Sequence, residues 1–585
     1  MLGRVIRVLD NLIYVKLDID IYNQDNLINK YVVFEGNNIL AGEVINIDDN
    51  TLIISLLGEF VNNDFIYGNV NKPSFNSKVR LMNNEDLKTL YKNSFVNSIN
   101  VGKSVFNDFD IELDINNLFS NHFAILGNSG SGKSYALSRI VQQTFYSAKT
   151  LPYYPNILIF DAFGEYQNVF NNISSINENI NYKVITTDLK SNDMEILKIP
   201  FWLLGVDDLA LLLNVTEPSQ IPIIEKALKL VGYFVRDDET VIQQKTDIIA
   251  RNVLDIIFNG KSPSEIRNKI ISILSKFNTD KINLEYPLVK GGWTRTLRQC
   301  ISIEADGKFA DIEGVIAHLE SLINNVFELT LPDGTFMYTL EDFATALEFA
   351  LISEGILNSN KVFDYANILK IRLNSLINSD YSRYFIFDQF ITNVDYLRYL
   401  LSNNQGKKVQ VLNFNINYVD DRFAKTLVKI FSKFIFDYAT RLERRGSVPF
   451  HIVLEEAHRY VQNDNDINTI GYNIFDRIAK EGRKYGVLLG LISQRPNELS
   501  QTTISQCSNF FIFKIFNPLD LDFIKAIVPN IDNQLINRIK LFYPGICLIN
   551  GNSVKFPTVV QLEKPNPEPM SQNVDINNTW YVKNN

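Results

Sequence analysis

The chain has 585 residues, a formal net charge of −9, 46% hydrophobic residues and 21% charged residues. One hydrophobic core cannot hold this length, so we expect several units or one elaborated fold, and the composition is ordinary for a globular chain with a large buried core. The acidic balance argues against a surface coated with cations for nucleic acid, but it says little about the lining of a channel.

The first residues lack the apolar stretch and the small-residue cleavage site of a secretory leader. No uninterrupted apolar run approaches the ~20 residues that a membrane-spanning helix needs. The three cysteines are odd in number and far apart, which favours buried thiols over disulfides. We therefore expect a cytoplasmic protein with no membrane partner.

Short β-branched runs separated by turn residues fill the chain up to about residue 95. Residues 13–17 and 52–56 are typical runs, and Asp48, Asp49 and Asn50 supply one of the turns between them. Strands at such regular spacing predict a small N-terminal barrel.

A complete GxxxxGK[ST] motif follows the apolar run 123–126. The motif and the residue after it are Gly127, Asn128, Ser129, Gly130, Ser131, Gly132, Lys133, Ser134 and Tyr135. A buried strand, a glycine-rich turn and the helix predicted over 135–140 would direct unpaired N–H groups at a phosphate. Lys133 would reach the β- and γ-phosphates, and the Ser134 hydroxyl would bind Mg²⁺. The motif predicts a nucleoside triphosphatase.

A second GKS string, residues 102–104, lacks the first glycine of the motif because Asn97 stands in its place. We interpret it as a turn.

Beyond the phosphate loop, strands at 156–161 and 182–186 alternate with helices, as in a parallel α/β sheet. The pattern then becomes helical until about residue 400, and strands resume afterwards. The predicted organisation is a β-barrel at 1–97, the first part of an ATPase core at 98–202, a helical insertion at 203–400, the second part of the core at 401–562 and an irregular tail at 563–585.

Two adjacent carboxylates, Glu455 and Glu456, follow the apolar strand predicted at 450–454. Ligand sites of parallel sheets lie at strand C-termini, so the pair would sit beside the phosphate loop if the two strands are neighbours. Glu455 would then support hydrated Mg²⁺, and Glu456 would polarise the attacking water. The alternative is a solvated acidic pair that opens a helix.

Two further residues end predicted strands at the same edge. Asp161 could contact the metal shell or the water, or it could only cap the turn at Gly164. Gln494 could sense the γ-phosphate or orient water, because its amide both donates and accepts, or it could belong to an ordinary loop stopped by Pro496.

Phosphoryl transfer also needs a cation on the developing γ-phosphate charge, and ring ATPases often take it from a neighbouring subunit. Arg483 is the candidate, at the end of the helix predicted before Gly486. A cation in a last helical turn is also favoured by the helix dipole alone, so the residue type does not decide between the two interpretations.

Five motifs in this order, GNSGSGKS, DAFGEY, LEEAHR, KEGRKYG and SQRP, closely resemble the HerA branch of the HerA/FtsK ATPases. The strand-rich N-terminus is similar to the HAS-barrel of that branch. The resemblance spans nearly the whole chain, although the helical insertion matches in position and character rather than in any motif. It implies an α/β fold with a RecA-like P-loop core, a HAS-barrel and a helical-bundle insertion.

The resemblance implies a homohexamer that hydrolyses ATP with Mg²⁺ at subunit interfaces and moves double-stranded DNA through its pore. It makes Lys133 and Ser134 the Walker A pair and Glu455 and Glu456 the Walker B pair. Arg483 becomes the arginine acting in trans, and Gln494 becomes the γ-phosphate sensor.

Members of this branch work either with a NurA-type nuclease in DNA-end resection or with an effector, a sirtuin-like NADase or a nuclease, in anti-phage defence. Residues 198–204 and the long insertion look more similar to the bacterial defence type. Two other functions remain open: a nucleotide-gated ring scaffold that activates an effector without translocating DNA, and a monomeric P-loop kinase.

Overall fold

The computed structural model shows a mixed α/β protein with 21 strands and 18 helices in the part of the chain that it describes. The described residues are 1–18, 26–68, 71–92, 95–147, 151–236, 238–324, 329, 331, 336–354, 360–529, 531, 533–571, 576 and 580.

The strands and helices are numbered in chain order. Strands β1 to β21 are Gly3–Leu9, Leu12–Leu17, Tyr31–Glu35, Ile39–Asp48, Thr51–Val61, Asp64–Tyr67, Lys78–Leu81, Ser98–Ser104, Asp110–Asp114, His122–Leu126, Ile157–Asp161, Tyr182–Thr186, Glu195–Ile196, Pro287–Lys290, Trp293–Thr296, Val411–Asn415, Phe450–Leu454, Val487–Ser493, Cys507–Ile512, Ile546–Gly551 and Thr558–Leu562. Helices α1 to α18 are Asn84–Tyr91, Ile115–Phe119, Lys133–Tyr146, Val206–Leu212, Ile221–Val235, Glu239–Asn259, Pro263–Lys276, Leu297–Cys300, Ile312–Ser321, Leu340–Glu354, Asn360–Ile377, Asn393–Leu400, Asp421–Thr440, Asp466–Thr469, Ile474–Tyr485, Gln501–Ile504, Pro518–Ile527 and Asn533–Ile539.

The chain divides into two compact units. The first contains Met1–Glu195, Tyr399–Asn463 and Ile474–Asn585, and the second contains Ile196–Arg398 and Asp464–Asn473.

The N-terminal strands of the first unit form the barrel that the sequence predicts. Strand β2 pairs with both β1 and β5, which closes the order β2-β1-β7-β3-β4-β5 into six strands, and β6 adds to β5. Alternate residues of β5 are buried, as expected for a strand with one face on the barrel interior. The interior is apolar and includes Val15, Phe34 and Ile54.

The twelve-stranded sheet of the first unit has a parallel centre in the order β12-β16-β11-β17-β18-β10-β19. Strands β20, β21, β8 and β9 extend it in antiparallel pairing. Every residue of β10, β11, β16 and β17 is buried, because both faces of a parallel sheet are covered. This is the α/β core that the sequence predicts.

The strand order corrects one expectation from the sequence. Strands β10 and β17 are not neighbours, because β18 pairs with both and separates them. The phosphate loop and the Glu455–Glu456 pair are therefore two strand spacings apart, about 10 Å at ~4.8 Å each. The end of β18, where Gln494 follows, lies between them.

The turn predicted at residues 102–104 was wrong. These residues lie in β8, which pairs with β9 and β21. A Cβ on Gly102 would lie 2.2 Å from the Gln561 carbonyl oxygen of β21, so close approach of two strands requires the glycine.

The second unit is mainly helical, as predicted for the insertion. Helix α5 packs on α10 and α6 packs on α9. The antiparallel hairpin of β14 and β15 within this unit was not predicted. The unit also contains residues 464–473, which the sequence assigned to the ATPase core.

Candidate nucleotide-binding site

The phosphate loop connects β10 to α3. Gly130 and Gly132 have φ values of 70° and 115°, a region that residues with a Cβ rarely adopt, so the turn depends on both glycines. A Cβ on Gly127 would lie 2.5 Å from Phe513 Cβ. The loop therefore requires glycine both for its conformation and for its packing.

Lys133, the first residue of α3, is buried, and its Nζ donates to the Asn128 carbonyl at 3.0 Å. Burial lowers the pKa of Lys133, and the carboxylates of Glu456 and Glu455 oppose that change. The ammonium group is thus held inside the loop and faces the carboxylates that follow β17.

Glu455 follows β17 and is 4% exposed. Its Oε2 accepts a hydrogen bond from the Ala162 backbone N–H at 3.0 Å. Burial raises its pKa well above the ordinary range, and the neighbouring Asp161 and Glu165 raise it further. Bringing a cation to this carboxylate would favour its charged form.

Glu456 has the left-handed conformation, with φ 49° and ψ 46°. Such backbone costs a residue with a side chain on the order of 1–3 kcal/mol, and it persists where surrounding structure holds it. Burial raises the pKa of Glu456, whereas Lys133 and a hydrogen bond from Gln494 lower it. The side chain lines the same cavity as Lys133.

Asp161 ends β11 and is fully buried. Its carboxylate accepts from the backbone N–H groups of Glu165 and Tyr166 at 3.0 and 2.9 Å, and from the Asn413 amide at 3.1 Å. The residue therefore caps the turn at Gly164, which is the structural alternative considered from the sequence. It lies against Glu455 and is not among the residues that line the cavity.

Gln494 follows β18, is half-buried and lines the cavity. Its hydrogen bond to Glu456 connects the C-terminal ends of the neighbouring strands β18 and β17. This position lets its amide reach both the cavity and the carboxylate.

Arg483 is exposed and is not among the residues that line the cavity. Its charge acts on His122, the first residue of β10, whereas the phosphate loop follows the last residue, Leu126. The strand has five residues, so its first and last residues are about 13 Å apart at roughly 3.3 Å per residue. The arginine therefore lies at the opposite edge of the sheet from the cavity of its own chain.

The structure adds residues to the cavity that sequence reasoning missed. Glu165 lines it beside Ser134, and a hydrogen bond from Ser134 partly offsets the rise that burial causes in the pKa of Glu165. Gly545, directly before β20, and Gln561 of β21 also line it. The DAFGEY string contained a signal for Glu165, since it places a second carboxylate four residues after Asp161.

The tail also contributes to the wall, and its described residues 563–571 are docked on α3. Gln142 donates to the Pro567 carbonyl at 2.9 Å and accepts from the Asn566 N–H at 2.9 Å. Tyr135 donates to Glu568 at 2.5 Å, and the N–H of Met570 donates to the Glu165 carbonyl at 2.9 Å. The tail forms no helix or strand over these residues, but it is fixed beside the phosphate loop.

The cavity has a volume of about 570 Å³, which suits a nucleotide. Among the described residues, no group of three or more His, Cys, Asp or Glu side chains is arranged as a metal site. Mg²⁺ usually binds through one or two carboxylates together with phosphate oxygens and water, so Ser134 and Glu455 fit that ion. The buried Oε2 of Glu165 has no hydrogen-bond partner in the described structure and also fits a cation with its water shell.

Known proteins resemble this chain in sequence. Residues 99–290 match the family described as the helicase HerA central domain. Over these residues the chain is similar to the HerA central domain. This HerA-like chain is 23% identical to the DNA double-strand break repair helicase HerA of Sulfurisphaera tokodaii, over 84% of its length and 74% of the relative. It is also 23% identical to the HerA of Pyrococcus furiosus, over 87% of its length and 76% of the relative.

Among solved structures, the bacterial conjugative coupling protein TrwBdeltaN70 matches with a TM-score of 0.41 and 11% identity, covering 84% of this chain and 94% of that chain. In the part of the HerA-like chain that the structure describes, no helix combines the length and apolarity needed to cross a membrane.

Proposed function

We propose that this HerA-like chain is the subunit of a homohexameric motor that hydrolyses ATP and moves double-stranded DNA through its pore. The observation that carries the proposal is the separation between Arg483 and the cavity that holds Lys133, Glu456 and Gln494. An exposed arginine at the opposite edge of the sheet cannot reach a phosphate in its own cavity. In a ring, the same arginine can reach the cavity of the next copy.

Each cavity residue then has a role. Lys133 binds the β- and γ-phosphates, while Ser134 and Glu455 hold Mg²⁺, which neutralises phosphate charge when bound. Glu456 accepts a proton from the attacking water, and Gln494 contacts the γ-phosphate and Glu456 together. Asp161 acts through Glu455, whose carboxylate it contacts.

The DNA substrate is supported by the similar proteins, which are named DNA double-strand break repair helicases. A motor predicts that duplex DNA stimulates ATP hydrolysis and that the ring displaces a protein roadblock bound to the duplex. The Glu456→Gln variant should bind ATP and DNA but displace nothing, which makes it the matched control. Hydrolysis that is indifferent to DNA, with no displacement, would reject translocation.

A second function, a nucleotide-gated scaffold, is favoured by the net charge of −9, because DNA-binding surfaces are usually rich in cations. A scaffold should change the activity of its effector even in the Glu456→Gln variant, whereas a motor should not. The effector, a sirtuin-like NADase or a nuclease, and the defence role stay predictions, because the relatives above are named for DNA repair. The product of the adjacent gene, added to the purified ring, separates these cases.

A further inference from the structure

His458 lies two residues beyond Glu456, in the short turn Ala457–Arg459. The residue is 9% exposed, and its Nδ1 is 3.2 Å from Glu456 Oε2. That oxygen is buried and has no aligned hydrogen bond within the described structure. A buried carboxylate oxygen without a donor is costly, so the arrangement calls for one.

The same Nδ1 is 3.2 Å from Ser493 Oγ, at the end of β18. Ser493 is fully buried, and its Oγ accepts the Arg495 N–H at 3.0 Å. Its carbonyl accepts the Gly127 N–H, the first of the phosphate loop, at 3.1 Å. Ser493 thus connects the phosphate loop, the loop of Gln494 and the His458 ring.

The proton on the ring can be assigned from these neighbours. A bare Nδ1 would direct a lone pair at the charged Glu456 carboxylate, so the tautomer with the proton on Nδ1 is favoured. Burial lowers the pKa of His458, which keeps the ring neutral. A neutral N–H can hold one oxygen of the carboxylate without cancelling its charge.

We infer that His458 is a positioning residue for ATP hydrolysis: its Nδ1–H is shared between Glu456 Oε2 and Ser493 Oγ, each 3.2 Å away, so that Oε1 is aimed at the attacking water. This inference rests on the proposed function, because it needs Glu456 to act as the base. The left-handed backbone of Glu456 is a strained conformation that surrounding structure must hold, and such strain is common at functional sites. Through Ser493, the position of the base is tied to the phosphate loop.

The inference is tested with His458→Leu and His458→Asn. Leucine removes the donor, whereas the amide nitrogen of asparagine can occupy the place of Nδ1. For His458→Leu, kcat should fall about 10- to 100-fold, part of the contribution of a general base, while KM for ATP changes less than about twofold. His458→Asn should recover most of the loss. An unchanged kcat in His458→Leu, or no recovery in His458→Asn, would overturn the inference.

A double-mutant cycle separates positioning from a general loss of packing. In the Glu456→Gln background, His458→Leu should not lower the residual rate further, because no carboxylate remains to be positioned. A further loss of 10-fold or more would assign His458 a purely structural role. The control is His451→Leu, which removes a buried histidine of β17 whose Nε2 contacts the Phe119 carbonyl at 2.7 Å and which does not line the cavity. This variant should keep the kcat of wild type.

Failure of the proposed function has a different signature. If the wild-type protein shows no ATP hydrolysis that Lys133→Ala removes, both the proposed function and this inference are rejected. Hydrolysis that Glu456→Gln lowers to a small residual rate and His458→Leu leaves intact would reject this inference alone.

Discussion

Lys133 and Glu456 stabilise each other's charged form in one cavity, although the first opens α3 and the second follows β17. The carboxylate raises the pKa of Lys133, and the ammonium lowers the pKa of Glu456, in each case against the effect of burial. Each group therefore favours in the other the charged form that it needs to act on a bound triphosphate.

Replacing Lys133 by alanine should remove ATP turnover. The variant loses the charge-assisted contacts to the β- and γ-phosphates, and removal of one such donor typically costs at least about 100-fold in rate. Steady-state phosphate release measures the effect. Lys103→Ala is the control. This exposed lysine belongs to the second GKS string, on β8, and its Nζ lies 3.3 Å from Asp108 Oδ1. Equal losses in the two variants would contradict the assignment of the phosphate loop.

Gly127→Ala should destabilise the ATPase core by about 1–3 kcal/mol, because the new methyl group meets Phe513 Cβ at 2.5 Å and Ser131 Oγ at 2.8 Å. Denaturant unfolding measures the change. Gly205→Ala is a suitable comparison, since its Cβ would lie 3.5 Å from Asp208 Oδ2, an ordinary van der Waals contact. If both variants unfold like wild type, the packing described around Gly127 is wrong.

Gln142→Leu should weaken nucleotide binding through the tail. The change removes the hydrogen bonds to Asn566 and Pro567, each worth about 0.5–1.5 kcal/mol, and so loosens residues that line the cavity. We expect KM for ATP to rise about 3- to 10-fold, with kcat changed less. Gln143→Leu, on the same helix but bonded to Ser147, should leave KM unchanged.

His122 should make stability depend on pH in acid. Burial lowers its pKa to about 4, and its ring contacts the Ala479 carbonyl and the Leu489 N–H. In the unfolded chain the His122 ring has a pKa near 6.5, so between pH 6.5 and 4 it is protonated while the folded ring stays neutral. The free energy of unfolding therefore falls as the pH drops through this window. Over the whole window, this group lowers the free energy of unfolding by about 3 kcal/mol.

The measurement compares unfolding free energies of wild type and His122→Gln from pH 7 to pH 4. The variant should lose less stability than wild type over this interval, and the two should run parallel above pH 6.5. Parallel curves throughout would show that the ring is not buried in its neutral form.

The sequence predicted those parts of the site whose signal is local. The phosphate loop and the Glu455–Glu456 pair each follow an apolar strand directly, so strand, turn and side chain are read from one short segment. The barrel and the α/β core were predicted for the same reason, from the period of their apolar residues.

The remaining features depend on contacts between distant segments. The position of β18 between β10 and β17 is a property of sheet order, which short-range patterns do not specify. The docking of the tail depends on Gln142 of α3, and the turn wrongly predicted at Gly102 depends on the approach of β21. The role inferred for His458 has no local signal in the sequence, because its contact with Ser493 joins two segments that short-range patterns do not relate.

The most direct test of the account is subunit mixing. Lys133→Ala and Arg483→Ala are purified separately, each expected to be inactive, and then mixed in equal amounts with ATP turnover as the readout. If Arg483 serves the cavity of the next copy, random mixing restores about a quarter of the sites, since each active site needs an intact loop and an intact neighbour. An Arg483→Ala protein that turns over ATP at the wild-type rate, or a mixture that stays inactive, would contradict the account.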